Sequence, residues 1–271
     1  MTRSLLDTVV VGFDGSPGSA HALVWAAADA SRRGLRLHVI HVWQPPPLIP
    51  SGFPPAAMPD SEAILHDAVT RVRLVAPQLR VRTESLPAPV ASAFVEASAD
   101  ADSIVVGAQG YRRLLRDFGS TAWQVATHAT CPVVVVREVP VGDRIRPIVV
   151  GLDGSPESDR ALRYAVARAA QDDVELVAVH AAPAAAVDEP ADGTDNLDGW
   201  LAPIRSRHPD VRARPVTVHR HPVAALIAES RDAQLVVVGN RGRGGFRGLL
   251  LGSVGMDLVR EATCPVAIVR C

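Results

Sequence analysis

The chain has 271 residues, enough for one large domain or for two domains of about 135 residues each. Its formal net charge of −1 argues against a general nucleic-acid binder, and its longest apolar runs have strand length, so no membrane span is predicted. All 28 basic residues are arginine, which excludes a Walker-type phosphate loop and any Schiff-base lysine.

The first predicted element is a strand in the N-terminal segment MTRSLLDTVVVGFDGS. One early arginine is not followed by a hydrophobic stretch and a cleavage site, so we interpret the segment as a strand and not as a signal peptide. The three cysteines, Cys131, Cys264 and Cys271, are too few and too badly spaced for a zinc site or a disulfide framework. This cysteine usage favours a reducing, cytoplasmic location.

An internal repeat organises the chain. The segment TVVVGFDGSPGSAHALVWAAADA at 8–30 matches PIVVGLDGSPESDRALRYAVARA at 147–169, so that Asp14 is equivalent to Asp153, 139 residues later. Near the end of each copy, ATCPVVVVR at 129–137 matches ATCPVAIVR at 262–270. We therefore predict a domain over 1–138, a linker over 139–145 and a second domain over 146–271.

Most of the length difference between the copies lies in a proline-rich insert at 44–59 of the first copy. We predict that this insert forms a loop over the mouth of the first copy's pocket, with docking of a protein partner as the alternative.

The second copy alternates strands with helices. The predicted strands are 148–152, 174–180, 211–218, 235–238 and 266–270. Of the four predicted helices, the first begins at Pro156 and the others cover 197–207, 222–231 and 253–262. Five strands alternating with four helices indicate an α/β fold, with a parallel sheet covered by helices on both faces. The apolar terminal strands 133–137 and 266–270 are expected to pair, within the chain or between two chains in a homodimer.

Two motifs follow the strand ends of the second copy: the turn GLDGS and the glycine-rich loop GNRGRGGFRGLLLGS. Ligands bind beyond the carboxyl ends of the strands in open parallel sheets. Glycines let backbone amides approach a ligand, and the N-terminus of the next helix attracts anions. The loop therefore favours phosphate binding, aided by the Ser253 hydroxyl and by Arg241, Arg243 and Arg247; a tight crossover with no ligand is the alternative.

The spacing G-x2-G-x9-G-S, with VVVGLDGSPES and the terminal TCPVAIVR, resembles the universal stress protein family in its tandem-domain form. The resemblance covers nearly the whole chain. It implies two tandem, open, five-stranded parallel sheets of Rossmann-like type with strand order 3-2-1-4-5. It also implies ATP as the ligand, with Mg²⁺ or Mn²⁺, and Asp153 beside the adenosine.

Carried onto this sequence, the family's pattern predicts a favoured site in the second copy, formed by Gly151, Asp153, Ala181, Gly239, Asn240, Arg241, Gly242, Arg243, Gly252, Ser253 and Val254. The equivalent, less favoured site of the first copy is formed by Gly12, Asp14, Val42, Gly107, Gly110, Gly119 and Ser120. The first loop is one residue shorter between its last two glycines, and Asp117 would repel a polyphosphate. Nucleotide binding by the first copy therefore stays open.

The histidines give no catalytic pattern. His41 and His180 lie at equivalent strand ends, where a structural role is favoured over contact with a nucleotide. The run HRH at 219–221 is expected to be a solvated loop and not a metal site. We find no Ser/His/Asp or Cys/His arrangement, so no catalytic residue and no metal-ligating residue is predicted.

The leading hypothesis is a cytoplasmic, ATP-binding stress-response regulator with at most slow hydrolysis and with a protein partner still unidentified. One alternative is an enzyme that hydrolyses ATP slowly or uses an adenylyl intermediate. The other is an interaction scaffold that binds no nucleotide.

Overall fold

A computed structural model describes residues 7–44, 60–108, 120–138, 146–181, 197–243 and 251–270. The proline-rich insert from residue 45 to 59, the linker 139–145, Arg247, Gly110 and Gly119 lie outside these ranges, as does the side chain of Ser120. Within the described ranges, every helix is too short or too polar to span a lipid bilayer.

The described part of the first half contains five strands and four helices. The strands are β1 (Thr8–Gly12), β2 (Arg36–Trp43), β3 (Val81–Pro87), β4 (Ser103–Gly107) and β5 (Val133–Val136). The helices are α1 (Pro17–Arg32), α2 (Ser61–Val75), α3 (Val90–Ala97) and α4 (Ser120–His128).

The described part of the second half has the same elements in the same order. Its strands are β6 (Ile148–Leu152), β7 (Leu176–Ala181), β8 (Ala213–Val218), β9 (Leu235–Gly239) and β10 (Val266–Val269). Its helices are α5 (Pro156–Asp172), α6 (Leu197–Arg207), α7 (Pro222–Ser230) and α8 (Ser253–Glu261). The predicted bounds of these strands agree with the observed ones to within two residues.

Local sequence explains where the first helix of each half begins. Ser16 and Ser155 are the N-cap residues, and each is followed by a proline in the first helical turn. Their hydroxyls accept the amides of Ser19 at 3.2 Å and Ser158 at 3.1 Å. Both helices therefore start directly after the strand-end turn, because a serine N-cap satisfies one of the amides that a helix start leaves unpaired.

The strands form one sheet in the order β3-β2-β1-β4-β5-β10-β9-β6-β7-β8. Each half has the predicted order 3-2-1-4-5 with parallel pairing, so the α/β fold class is confirmed. The two five-stranded sheets are not separate, however, since β5 and β10 pair antiparallel and join them edge to edge. Of the two predicted pairings of the terminal strands, the structure therefore shows the one within the chain.

Helices cover both faces of the joined sheet. On one face, α1, α2, α5 and α6 pack on strand residues such as Val9, Val11 and Val150. On the other face, α3, α4, α7 and α8 pack on the alternate residues, such as Val10 and Val149. Both faces of the strands are buried, which explains their continuous apolar sequence.

Candidate functional site

The turn after β6 fixes Asp153 at the carboxyl end of the sheet. One oxygen of its carboxylate, Oδ1, accepts the amide of Ser155 at 3.0 Å and the Ser155 hydroxyl at 2.6 Å. Gly154 between them has φ of 75°, a left-handed conformation that glycine adopts without strain. The turn therefore holds the carboxylate at the strand end and caps α5 with the same serine.

The other oxygen of Asp153 connects this turn to the glycine-rich loop. Oδ2 accepts the backbone amide of Arg243 at 2.8 Å. A Cβ on Gly242 would lie 2.4 Å from the same oxygen. Glycine at 242 thus lets the loop approach Asp153 closely, and the two motifs that the sequence analysis singled out are in direct contact.

These hydrogen bonds determine the charge of the carboxylate. Burial by itself would raise the pKa of Asp153, but the hydrogen bonds from Ser155 and from the Arg243 amide outweigh burial and hold the pKa below its ordinary value. Asp153 is therefore ionised at neutral pH and acts only as a hydrogen-bond acceptor. Such a group suits the hydroxyls of a sugar and repels phosphate.

The N-terminus of α8 lies at the other end of the loop. Its N-cap residue, Gly252, has φ of −73° and ψ of 154°, and α8 has no acidic residue in its first turn. The Gly252 amide donates to the carbonyl oxygen of Asn240 at 2.8 Å, which holds the two ends of the loop together. Because Gly252 has no side chain to cap the helix, the first turn of α8 keeps the positive end of its dipole available to an anion.

Two amides of the loop differ from the sequence-based expectation. We expected the loop amides to be available to a polyanion, yet the Arg243 amide is taken by Asp153 and the Gly252 amide by Asn240. In the described part of the loop, the Asp153 carboxylate thus accepts a hydrogen bond from an amide that we expected to bind phosphate. The cause is the proximity of the two motifs, which sequence spacing does not show.

Arg241 in the same loop has a buried donor. Its Nε is buried and has no hydrogen-bond partner among the described residues. A buried donor without an acceptor is costly, by about 1–3 kcal/mol. An anion at the start of α8 is one group that would satisfy it.

The predicted glycines have different structural reasons. A Cβ on Gly239 would lie 2.8 Å from the backbone carbon of Glu157 in α5, and one on Gly151 would lie 3.0 Å from Leu226 of α7. Glycine at these two positions is therefore explained by packing within the fold. A Cβ on Gly252 would lie 3.5 Å from the nearest described heavy atom outside its chain neighbours, so the described part of the fold leaves room for a Cβ there.

Three further predicted residues lie around this edge of the sheet. Ala181 at the end of β7 and Val254 in the first turn of α8 are partly buried against the core on the α7 and α8 face. Ser253 is the first residue of α8. They lie at the predicted strand and helix ends, and their contact with a ligand stays a prediction.

Trp200 is a site residue that the sequence analysis missed. A Cβ on Gly154 would lie 2.6 Å from Cζ2 of the Trp200 ring, so the ring covers the Asp153 turn. Trp200 also meets the His180 ring edge-to-face, with centroids 5.2 Å apart and an interplanar angle of 89°. His180 in turn bonds through Nδ1 to the Leu152 carbonyl oxygen at 2.8 Å. The only signal in the sequence was a tryptophan in the amphipathic helix LDGWLAPIRSR.

The first half repeats the turn, and no described aromatic ring covers it. Asp14 Oδ1 accepts the Ser16 amide at 2.9 Å, and His41 bonds through Nδ1 to the Phe13 carbonyl oxygen at 2.9 Å. A Cβ on Gly15, which has φ of 79°, would meet no described atom within 4 Å. The two turns are thus alike in backbone and differ in what lies over them.

Packing also explains two glycines of the first half. A Cβ on Gly12 would lie 2.8 Å from the Phe94 ring of α3, and one on Gly107 would lie 2.6 Å from the Gly18 backbone. Val42 is partly buried against the core.

The described residues form no evident metal centre. Among the described residues, no group of three or more His, Cys, Asp or Glu side chains could hold a metal ion. His219 and His221 are exposed. A divalent cation at this site would therefore depend on oxygens supplied by a ligand, as Mg²⁺ commonly does with phosphates.

Comparison with known proteins gives a consistent result over the whole chain. The model of the "Universal stress protein family" matches residues 6–137 and again 144–270. Universal stress protein Rv2623 of Mycobacterium tuberculosis is 34% identical over 97% of this chain and 96% of its own length. A universal stress protein of Mycolicibacterium smegmatis is 33% identical over 97% of this chain and 96% of its own length.

A crystal structure of a universal stress protein from Archaeoglobus fulgidus has the same fold. It superposes with a TM-score of 0.70 at 20% identity and covers 99% of both chains.

Proposed function

The chain belongs to the universal stress protein family, and from that premise we propose that its second half binds ATP and thereby regulates a stress response. The observation that carries this proposal is the uncapped start of α8 beside Asp153. Gly252 leaves the first turn of α8 without a side-chain cap, and Arg241 has a buried donor without an acceptor among the described residues. A phosphate group would supply the missing acceptor at both.

The proposed pose follows from the charges at the two ends of the site. The Asp153 carboxylate is ionised and repels phosphate, so it accepts hydroxyl hydrogen bonds from the ribose. The phosphates then lie toward α8, where the helix dipole, Ser253 and Arg241 favour negative charge. The base lies on the side of His180 and Trp200, whose ring edges and faces suit stacking.

In this proposal a divalent cation, Mg²⁺ or Mn²⁺, binds with the nucleotide. Because the described residues offer no group of three metal-ligating side chains, the phosphates supply most of its ligands. Ser253 is the residue of α8 whose hydroxyl would complete the set. The cation would neutralise part of the negative charge of the phosphates. Asp153 cannot do so, because its carboxylate is itself negative.

Binding without fast chemistry is the expected behaviour. The chain contains no lysine, and the pKa of Asp153 is held low, which makes its carboxylate a weak general base. We propose at most slow hydrolysis. Steady phosphate release above about 1 s⁻¹, the low end of kinase turnover, would support the enzymatic alternative instead.

Nucleotide binding can affect partners through the loop. In the structure the Arg243 amide donates to Asp153, and a bound phosphate would compete for that amide. Loaded and empty forms would then present different loop conformations, which a partner can distinguish only if its affinity for the two forms differs. We place this activity in the cytoplasm, because the three cysteines are too few and too badly spaced for a disulfide framework.

Isothermal titration with ATP and Mg²⁺ tests the proposal directly. The parent chain is expected to bind, and Gly242→Glu and Gly252→Glu are expected to abolish binding while far-ultraviolet circular dichroism stays unchanged. Mass spectrometry of small molecules that co-purify with the chain identifies the natural ligand. Absence of nucleotide in both experiments would favour the scaffold alternative.

A further inference from the structure

Helices α1 and α5 meet across the joint between the two half-sheets, and charged side chains connect them. Arg168 of α5 donates to both carboxylate oxygens of Asp29 of α1, from Nη1 at 3.2 Å and also from Nη2. The side chains of this pair are 3% and 0% exposed. Around the pair, Arg32 bonds to Asp172 at 3.3 Å and Arg33 to Gln171 at 3.2 Å. The contact between the halves is therefore ionic at its centre.

The connected residues occupy equivalent positions of the internal repeat. The separation of 139 residues that relates Asp14 to Asp153 also relates Asp29 to Arg168 and Arg33 to Asp172. At both positions one half carries an acid and the other half a base. The charges are thus opposite where the repeat would make the halves alike.

The roles of donor and acceptor are also reversed in the hydrogen bonds that connect these helices to the residues before β4 and β9. In the first half, Arg33 makes two hydrogen bonds of 2.7 Å to Asp102, the residue before β4. In the second half, Asp172 accepts a hydrogen bond of 3.0 Å from Gln234, the residue before β9. Each half therefore has its own complete set, formed by the same three positions with reversed roles.

The guanidinium of Arg168 lies over an aromatic ring from each half. Its guanidinium carbon is 5.9 Å from the centroid of the Trp25 ring and 5.9 Å from that of Tyr164. Trp25 and Tyr164 are themselves equivalent residues of the repeat, 139 residues apart. Two identical halves in this arrangement would place Asp29 against a second Asp29, or Arg168 against a second Arg168.

We propose that these six residues, the seam cluster, make the face of each half complementary to the other half and incompatible with a second copy of itself. We call this arrangement of charges the pairing code. The seam cluster consists of Asp29, Arg33, Asp102, Arg168, Asp172 and Gln234. Like charges buried together are strongly unfavourable, whereas the opposite charges of Asp29 and Arg168 attract each other, even though Nε of Arg168 has no hydrogen-bond partner among the described residues. The partner that fits the first half's face is therefore a second half, supplied by the same chain or by exchange between two chains. The proposal does not depend on nucleotide binding.

Three variants of the full chain separate this code from interactions within each half. The first-half exchange gives both halves the second half's set, and the second-half exchange gives both halves the first half's set. The six-fold exchange reverses both halves and restores the buried acid–base pair at positions 29 and 168 with the same residues, while the 46% exposed side chain of Arg32 loses its bond to Asp172. The substitutions are D29R, R33D and D102Q for the first half, and R168D, D172R and Q234D for the second half.

Thermal unfolding provides the readout. Each three-fold exchange keeps both internal sets complete and makes the seam charges alike, so its Tm is expected to fall by about 10 °C, the scale of a broken buried ion pair in a chain of this size. The six-fold exchange is expected to return to within about 3 °C of the parent, a shift typical of residual packing differences. A parent-like Tm in both three-fold exchanges would overturn the code. So would a six-fold exchange as unstable as the three-fold ones, because the loss would then come from packing.

Two variants with smaller changes test the same interaction if an exchanged chain does not fold. Asp29→Asn leaves Arg168 buried without its nearest carboxylate and with only Asp172 at 4.0 Å, whereas Asp29→Asn with Arg168→Gln removes both charges. The single variant is expected to have the lower Tm, since an uncompensated buried charge is worse than none. Arg168→Gln alone completes the cycle, and a double variant whose loss of Tm equals the sum of the two single losses would contradict coupling across the seam.

Discussion

Replacing Gly252 with serine is expected to stabilise the fold slightly and to weaken nucleotide binding. Gly252 has φ of −73° and ψ of 154° at the N-cap of α8, nearly the values of Ser155 at the N-cap of α5, −75° and 157°. Ser155 uses this geometry to accept the Ser158 amide. A serine at 252 therefore has the backbone conformation needed to accept the amide of Gly255, its equivalent in α8.

The two expected effects differ in size and sign. Serine and glycine differ at the N-cap by only a few tenths of a kcal/mol, so Tm is expected to rise by about 1 °C. A backbone amide that donates to a charged group contributes about 1.5–3 kcal/mol. If the serine hydroxyl captures an amide that would otherwise bind phosphate, the Kd for ATP rises about 10- to 150-fold.

Isothermal titration and thermal unfolding of the same preparations measure both effects. Gly252→Ala is the matched control, since its Cβ would lie 3.5 Å from the nearest described heavy atom and adds no hydrogen-bond acceptor. We expect the alanine variant to keep the parent affinity. An unchanged Kd in the serine variant, with its fold intact, would refute a phosphate site at the start of α8.

Three further changes test the site and the core. Gly154→Ala is expected to destabilise the fold by roughly 1–3 kcal/mol more than Gly15→Ala, because both glycines have positive φ but only Gly154 faces the Trp200 ring. Thermal unfolding measures this difference, which should disappear when both substitutions are made in a Trp200→Ala background. A difference that persists there would contradict the packing argument. The pKa of Asp153 is lower in the folded state than its ordinary value of 3.8. The parent should therefore be more stable than Asp153→Asn above pH 3.8, and this advantage should disappear as the pH falls through the pKa of the folded state. Urea unfolding from neutral to acid pH measures the difference. Burial raises the pKa of the Cys264 thiol to about 12, so iodoacetamide should modify it only after denaturation, as checked by mass spectrometry; rapid labelling of the folded chain would contradict its burial.

The sequence predicted the fold well because burial leaves a direct record in it. Strand β6 is covered on both faces, so its residues form the continuous apolar run that we predicted as a strand. The serine caps and prolines that begin α1 and α5 are local signals, since an N-cap acts within three residues. The resemblance to a known family supplied the strand order, which no local pattern determines.

Within the site, sequence predicted which residues lie at the strand ends but not what they contact. Asp153 and Gly252 lie where the repeat and the loop motif indicated. The hydrogen bond from the Arg243 amide to Asp153 could not be predicted, because it joins residues 90 positions apart through a loop conformation. Trp200 was missed for a similar reason, since its position over Gly154 depends on how α6 packs on the sheet.

The sequence by itself determined that this chain consists of two α/β copies and that the second copy has the more complete glycine-rich loop, because repeats, buried strands and helix starts are recorded in neighbouring residues. Only the tertiary structure decided that β5 pairs with β10 within one chain and that Asp29 meets Arg168 at their contact. These two residues are 139 positions apart, and their charges acquire a meaning only when the joined sheet brings α1 against α5.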